Sequence, residues 1–96
     1  MENIVLLELL ARGFTVSIGK IGDKEIDFIA ERQGEKIYVQ VALRITEKKT
    51  MEREFGNLLV LKDNYPKYVI TLDEYSGASF EGIKHVPLRQ FLFEFA

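Results

Sequence analysis

The sequence predicts an α/β domain built on a small mixed sheet, and three observations carry that prediction. Apolar residues alternate with period two in three stretches, around 14–18, 25–32 and 36–43, as in strands with one buried face. Apolar residues recur at helical spacing in 4–10 and again in 51–59. The first three strands are joined by short polar turns, whereas the fourth follows the second helix, so an antiparallel meander should pass into a right-handed parallel crossover.

The elements follow in order. Ile4, Val5, Leu6, Leu7, Leu9 and Leu10 make the first helix apolar on most sides, which predicts that it is largely buried; Gly13 stands where a helix stop belongs. Phe14, Val16 and Ile18 then alternate with Thr15, Ser17 and Gly19 as a first strand, and 19–24 reads as a turn. In the second strand Ile26, Phe28 and Ala30 are expected on one face, with Asp27, Ile29 and Glu31 on the other. Gln33 and Gly34 form the next turn. The third strand should direct Ile37, Val39 and Val41 one way and Tyr38, Gln40 and Ala42 the other. Thr46 marks a helix start, and Met51, Phe55, Leu58 and Leu59 give that helix its sheet-facing side. Asn64 and Pro66 end the pattern before a buried strand from Tyr68 to Leu72, with Asp73 at its end. After a loop around Ser76, Gly77 and Ala78, Ile83 to Val86 suggests a short strand. Pro87 then opens a terminal helix carrying Phe91, Leu92 and Phe95.

Composition bounds the function. A chain of 96 residues, 47% hydrophobic, supports one core, so residues 1–96 are read as a single domain. The absence of cysteine excludes disulfides and thiolate metal sites. The apolar run from Ile4 to Leu10 is too short for a membrane span and lacks the flanks of a signal peptide, so no membrane partner and a cytoplasmic location are expected. With 13 Lys and Arg against 15 Asp and Glu, the net charge of −2 offers no bulk attraction for phosphates; nucleic-acid binding would need a local basic patch.

Asp27 is a carboxylate within an apolar strand, and Gln40 lies 13 positions on in the neighbouring strand, so a short hairpin can bring the two together. Glu2, at the start of the first helix, could add a third oxygen. Such oxygen donors suit Mg²⁺, which keeps water for phosphate substrates.

The order αβββαβ, with EIDFIA on the second strand and YVQVA on the third, resembles the PD-(D/E)XK nuclease superfamily. A closer likeness is to the nuclease-like C-terminal domain of prokaryotic AAA-type ATPases. It rests on ENIVLLELLARGFTV, GDKEIDFIAERQGEKIYVQVA and REF with LLVLKDNYPKYVITLDE, and covers positions 2 to about 75. The resemblance implies a restriction-endonuclease-like core with a mixed four-stranded sheet flanked by helices, extended by a C-terminal βα unit. It maps the superfamily's helix Glu, strand Asp and Glu or Gln onto Glu2, Asp27 and Gln40. The superfamily's lysine falls on Ala42, which cannot orient water or offset charge on a phosphate. The resemblance therefore implies a catalytically degenerate binding or regulatory domain, with no cofactor expected, or Mg²⁺ if the domain is active. It also implies a longer parent: the chain has no G-x-x-x-x-G-K-[ST] loop, so ATP chemistry would belong elsewhere.

Other readings stand beside this one. Lys20, Lys24, Lys36 and Arg44 are candidates for a displaced catalytic cation in an active Mg²⁺-dependent nuclease. Lys20, Lys24, Lys48, Lys49 and Arg53 are the candidate DNA contacts, although both signs of charge in 47–54 also describe a solvated helix face. Asp27 and Gln40 read equally as structural residues, Glu2 as a helix-dipole partner, Glu8 and Arg12 as an i,i+4 pair, and His85 as a core histidine. The aromatic C-terminus, Phe91, Phe93 and Phe95, predicts that part of that helix meets a partner, either a homodimer mate or the rest of a longer chain. A protein-interaction domain is thus the third functional class.

Overall fold

The computed structural model describes residues 2–22, 24–42, 48–59, 61, 63–72 and 82–94. Its elements run α1 (Glu2–Ala11), β1 (Thr15–Ile21), β2 (Lys24–Arg32), β3 (Glu35–Val41), α2 (Lys48–Leu59), β4 (Lys67–Thr71), β5 (Lys84–Pro87) and α3 (Leu88–Glu94). The strands form one sheet in the order β1-β2-β3-β4-β5. The first three are antiparallel, and β3–β4 and β4–β5 pair in parallel. The predicted element order therefore holds, with one correction: the extension strand joins the sheet, which has five strands rather than four. Tyr68 to Thr71 of β4 pair with Lys84 to Pro87 of β5, an interaction between distant segments that no local pattern announces.

Local chemistry explains the turns. Gln33 and Gly34 have φ of 44° and 85°, the paired left-handed values of a two-residue hairpin whose twist matches that of its strands. Gly13, at φ 87°, reverses the chain after α1, so that Gly13 N–H and Phe14 N–H reach the carbonyls of Leu10 and Leu9 at 3.0 and 3.1 Å.

The sheet is covered on both faces. On one, Val5 and Leu9 of α1 and Leu88 and Phe91 of α3 pack over Phe28, Ala30, Ile37, Val39, Val41, Ile70 and Val86. On the other, Phe55 and Leu58 of α2 pack over Ile26, Tyr38, Val69 and Ile83. The expected alternation of β3 is obeyed, whereas that of β2 is corrected. Ile26 shares the α2 face with Ile29, while Phe28 and Ala30 face α1 and α3. The cause is a bulge. Ser17 pairs with Ile29 and Gly19 with Ile26, so a two-residue step on β1 faces a three-residue step on β2 and the side-chain phase shifts. Gly19 accommodates the crowding: a Cβ there would lie 3.2 Å from Ile26 Cβ and 3.1 Å from Ile29 Cγ1.

Two further expectations are corrected. α1 is not largely buried: it presses Val5 and Leu9 on the sheet, while Ile4, Leu7 and Leu10 are 48%, 65% and 49% exposed, because the sheet covers one side of it only. Ile18, expected in the core, is 76% exposed on edge strand β1. In the terminal helix, Phe91 is buried and Phe93 exposed; Phe95 lies outside the described residues, as do Arg44, Thr46, Asp73 and Ser76 to Ala78.

Candidate functional site

The sheet forks where the sequence places its two candidate residues. β2 and β3 pair from Arg32↔Glu35 up to Phe28↔Val39, where their ladder ends, while β3 continues beside β4 to Val41↔Ile70. The bulge turns β2 away at this point. Separation of two paired strands strands backbone polar groups, which must find other partners. Two side chains supply them. Gln40 Oε1 accepts from Asp27 N–H at 2.5 Å, and Gln40 Nε2 donates to the Glu25 carbonyl at 3.1 Å. In return Val41 N–H donates to Asp27 Oδ2 at 2.9 Å. Asn57 of α2 adds a second donor to the Glu25 carbonyl at 3.1 Å, tying the helix to the start of β2.

Asp27 and Gln40 are thus brought together as the sequence predicts, and each is engaged with the other's strand. Gln40 is 1% exposed, and both ends of its carboxamide are hydrogen-bonded. Asp27 is half-buried, and its carboxyl is pushed above the usual carboxylate range. Desolvation is the main cause; the Val41 N–H works the other way, Glu2 and Glu25 add repulsion, and Arg53 adds attraction. Glu2 therefore lies within electrostatic reach of Asp27, at the exposed start of α1. Among the described residues, no group of three or more His, Cys, Asp or Glu side chains gathers as a metal site. Gln40 Oε1 already holds the Asp27 N–H, so a Mg²⁺ ion at Asp27 would find only the second lone pair of that oxygen beside the Asp27 carboxylate.

The position onto which the resemblance maps the superfamily's lysine carries only a methyl. Ala42 is buried, and its N–H donates to the Ile70 carbonyl at 3.0 Å, fixing the end of β3 against β4. Of the cations considered as replacements, Lys36 sits beside the other end of the fork's strands, opposite Glu31, and Arg44 lies outside the described residues. Lys20 and Lys24 are exposed on the β1–β2 hairpin, where Lys20 pairs with Glu25 and Lys24 with Ile21. Arg53 is exposed on α2, one helical turn before Asn57. The backbones of Lys48 and Lys49 form the first turn of α2; their side chains lie outside the described residues.

No family model matches the chain, and no solved structure does. One relative does. A Haemophilus influenzae protein described as "Uncharacterized protein" is 49% identical to this chain over 84 residues. The match takes in 88% of this chain but 20% of that protein, so the chain spans about a fifth of the length of the curated relative it matches.

Away from the fork, sequence reasoning missed a second polar cluster. Tyr38, on the α2 face, donates its hydroxyl to Asp63 Oδ2 at 2.6 Å, and Lys67 Nζ lies 2.9 Å from Asp63 Oδ1. Lys36 Nζ sits over the rings of Tyr38 and Tyr65, at 5.5 and 5.3 Å from their centroids. The only sequence signal was a tyrosine alternating into the buried face, where a hydroxyl needs a partner. His85 fits the structural reading: it is buried, with Nε2 2.6 Å from Thr71 Oγ1. Glu8 and Arg12 form the expected i,i+4 pair at 3.7 Å.

Proposed function

We propose that this chain is a restriction-endonuclease-like domain that has lost metal-dependent phosphodiester cleavage. It serves as a binding or regulatory module of a longer AAA-type ATPase, with DNA as its ligand. The observation that carries this reading is the closed fork. Gln40, which the family likeness assigns to the metal, has its oxygen committed to Asp27 N–H, and the lysine position is a buried alanine. The order α1β1β2β3α2β4 and the mixed sheet support the likeness, and the larger relative supports a longer parent. Lys20, Lys24 and Arg53 are exposed on the hairpin and the helix that flank the fork, a placement suited to a phosphate backbone despite the net charge of −2.

One observation favours a second reading, an active Mg²⁺-dependent nuclease. The positive charge of Arg53 reaches Asp27, and a guanidinium stays charged at any physiological pH. In that reading Arg53 replaces the lysine, and the fork must open for Gln40 to turn.

The deciding experiment measures cleavage of plasmid and branched DNA with Mg²⁺ and Mn²⁺, beside Asp27→Ala, and DNA binding in EDTA. The expected result is no cleavage with salt-sensitive binding. Three phosphate contacts from Lys20, Lys24 and Arg53 predict an affinity that falls roughly 40-fold between 50 and 200 mM salt. Charge reversal of Lys20 and Lys24 together should flatten the salt slope by about two units. Cleavage that Asp27→Ala abolishes would establish the nuclease instead. Absence of both activities would leave the protein-interaction role.

A further inference from the structure

The outer face of α1 is apolar where a helix packed on a sheet ordinarily carries polar residues. Ile4, Leu7 and Leu10 recur at three-residue intervals on that face and are 48%, 65% and 49% exposed. Between Asn3 and Ala11 the one charged residue is Glu8, and it pairs with Arg12 at 3.7 Å. Arg12 Nη2 donates to the Phe91 carbonyl of α3 at 2.8 Å, so the end of α1 abuts the helix on which Phe93 is 80% exposed. The α1–α3 layer thus shows large apolar side chains from both of its helices, which is the mark of an unfinished interface.

We propose that the outer face of α1 docks this domain against the rest of a longer polypeptide, of the kind that makes up the other four-fifths of the Haemophilus relative. Two considerations select this occupant over a second copy. The relative carries a segment 49% identical to this chain within a polypeptide of which that segment is 20%, so a domain of this type has chain beside it. The patch is also narrow. Among the described residues it comprises Ile4, Leu7 and Leu10 with Phe93, a small set beside the roughly 20–30 residues and ~800 Å² per partner of a specific dimer. Interdomain contacts within one chain are smaller and suffice, because covalent linkage supplies an effective concentration in the millimolar range. The inference stands on the helix surface and the relative's length, so it survives loss of the DNA reading.

The test has two arms. In the first, the 96-residue chain and its Leu7→Glu variant are compared by thermal melting and sedimentation. Both should be monomeric, with melting temperatures within about 2 °C of each other, since an exposed substitution shifts stability little. In the second, the Haemophilus protein with its matching segment replaced by this chain is compared with the same chimera carrying Leu7→Glu, using limited proteolysis. Release of the domain should be at least tenfold faster from the variant. Equal release rates would overturn the proposal, as would a wild-type dimer that Leu7→Glu dissolves, which assigns the face to a second copy. Collapse of the melting temperature in the first arm would also overturn it, because Leu7 would then belong to the domain's own core.

Discussion

Two aspartates at separate polar clusters of one sheet meet opposite fates. Asp63 is held by charged and polar hydrogens: the Tyr38 hydroxyl at 2.6 Å, the Lys67 ammonium at 2.9 Å and the Tyr65 N–H at 3.1 Å. Desolvation opposes ionisation there, yet these donors outweigh it and hold the carboxyl below the usual carboxylate range. Tyr38 is affected in turn: burial and the neighbouring Asp63 push its phenol up. Asp27 accepts from the Val41 N–H, yet desolvation with the repulsion of Glu2 and Glu25 raises its carboxyl. One cluster is an ionised clamp and the other a charge held at a cost. The difference teaches that a carboxylate's role is set by what faces it rather than by its strand position.

The comparison breaks first at Gln40. Gln40→Leu removes two hydrogen bonds and leaves Asp27 N–H without its acceptor in a buried setting, which should lower stability by about 2–3 kcal/mol. For a domain of this size that is a fall of roughly 10–20 °C in melting temperature, readable by calorimetry. A shift under ~0.5 kcal/mol would show that the fork does not depend on the amide. Tyr38→Phe at the other cluster should cost about 1 kcal/mol, with the Asp63 carboxyl titrating closer to its ordinary value by NMR. An unmoved Asp63 titration would assign its low value to Lys67 and the Tyr65 N–H.

The smallest effect is the most specific, because its sign depends on pH. The folded-state pKa of Asp27 is raised above 3.8, so its favourable contribution is complete at low pH and is lost as pH rises through the folded value. Asp27→Asn keeps an acceptor for Val41 N–H and has no such loss. It should therefore gain on the wild type between pH 3 and pH 7 in chemical denaturation. Asp63→Asn should do the reverse. The folded-state pKa of Asp63 is depressed, so its contribution is present above 3.8 and disappears as pH falls through the folded value. Parallel pH profiles for the two variants would erase the distinction between the clusters.

The parts of the fold that the sequence made legible are those written locally. Turn residues at Gly13 and Gln33–Gly34, the period of β3 and the spacing of Phe55 and Leu58 each act within a few residues, and the structure obeys them. What was not legible depends on distant segments. The bulge that turns Ile26 to the α2 face is a mismatch between β1 and β2. The pairing of β5 beside β4 and the exposure of Leu7 depend on what lies across space. At the candidate site, the meeting of Asp27 and Gln40 was legible from their hairpin spacing. Their use as backbone partners was not, because it follows from the parting of strands that alternation treats as continuous. Asn57 was missed for the same reason: its contact with the Glu25 carbonyl spans 32 positions.

The exchange across the fork has a consequence for how such sequences drift. Asp27 takes the hydrogen of β3, and Gln40 serves the backbone of β2, so a change at either position leaves a backbone group without its partner even where no metal or phosphate is handled. Ala42, by contrast, holds β4 through its main-chain N–H, with a methyl as its whole side chain. The Asp27–Gln40 pair thus records the architecture of the strands, whatever chemistry the domain performs.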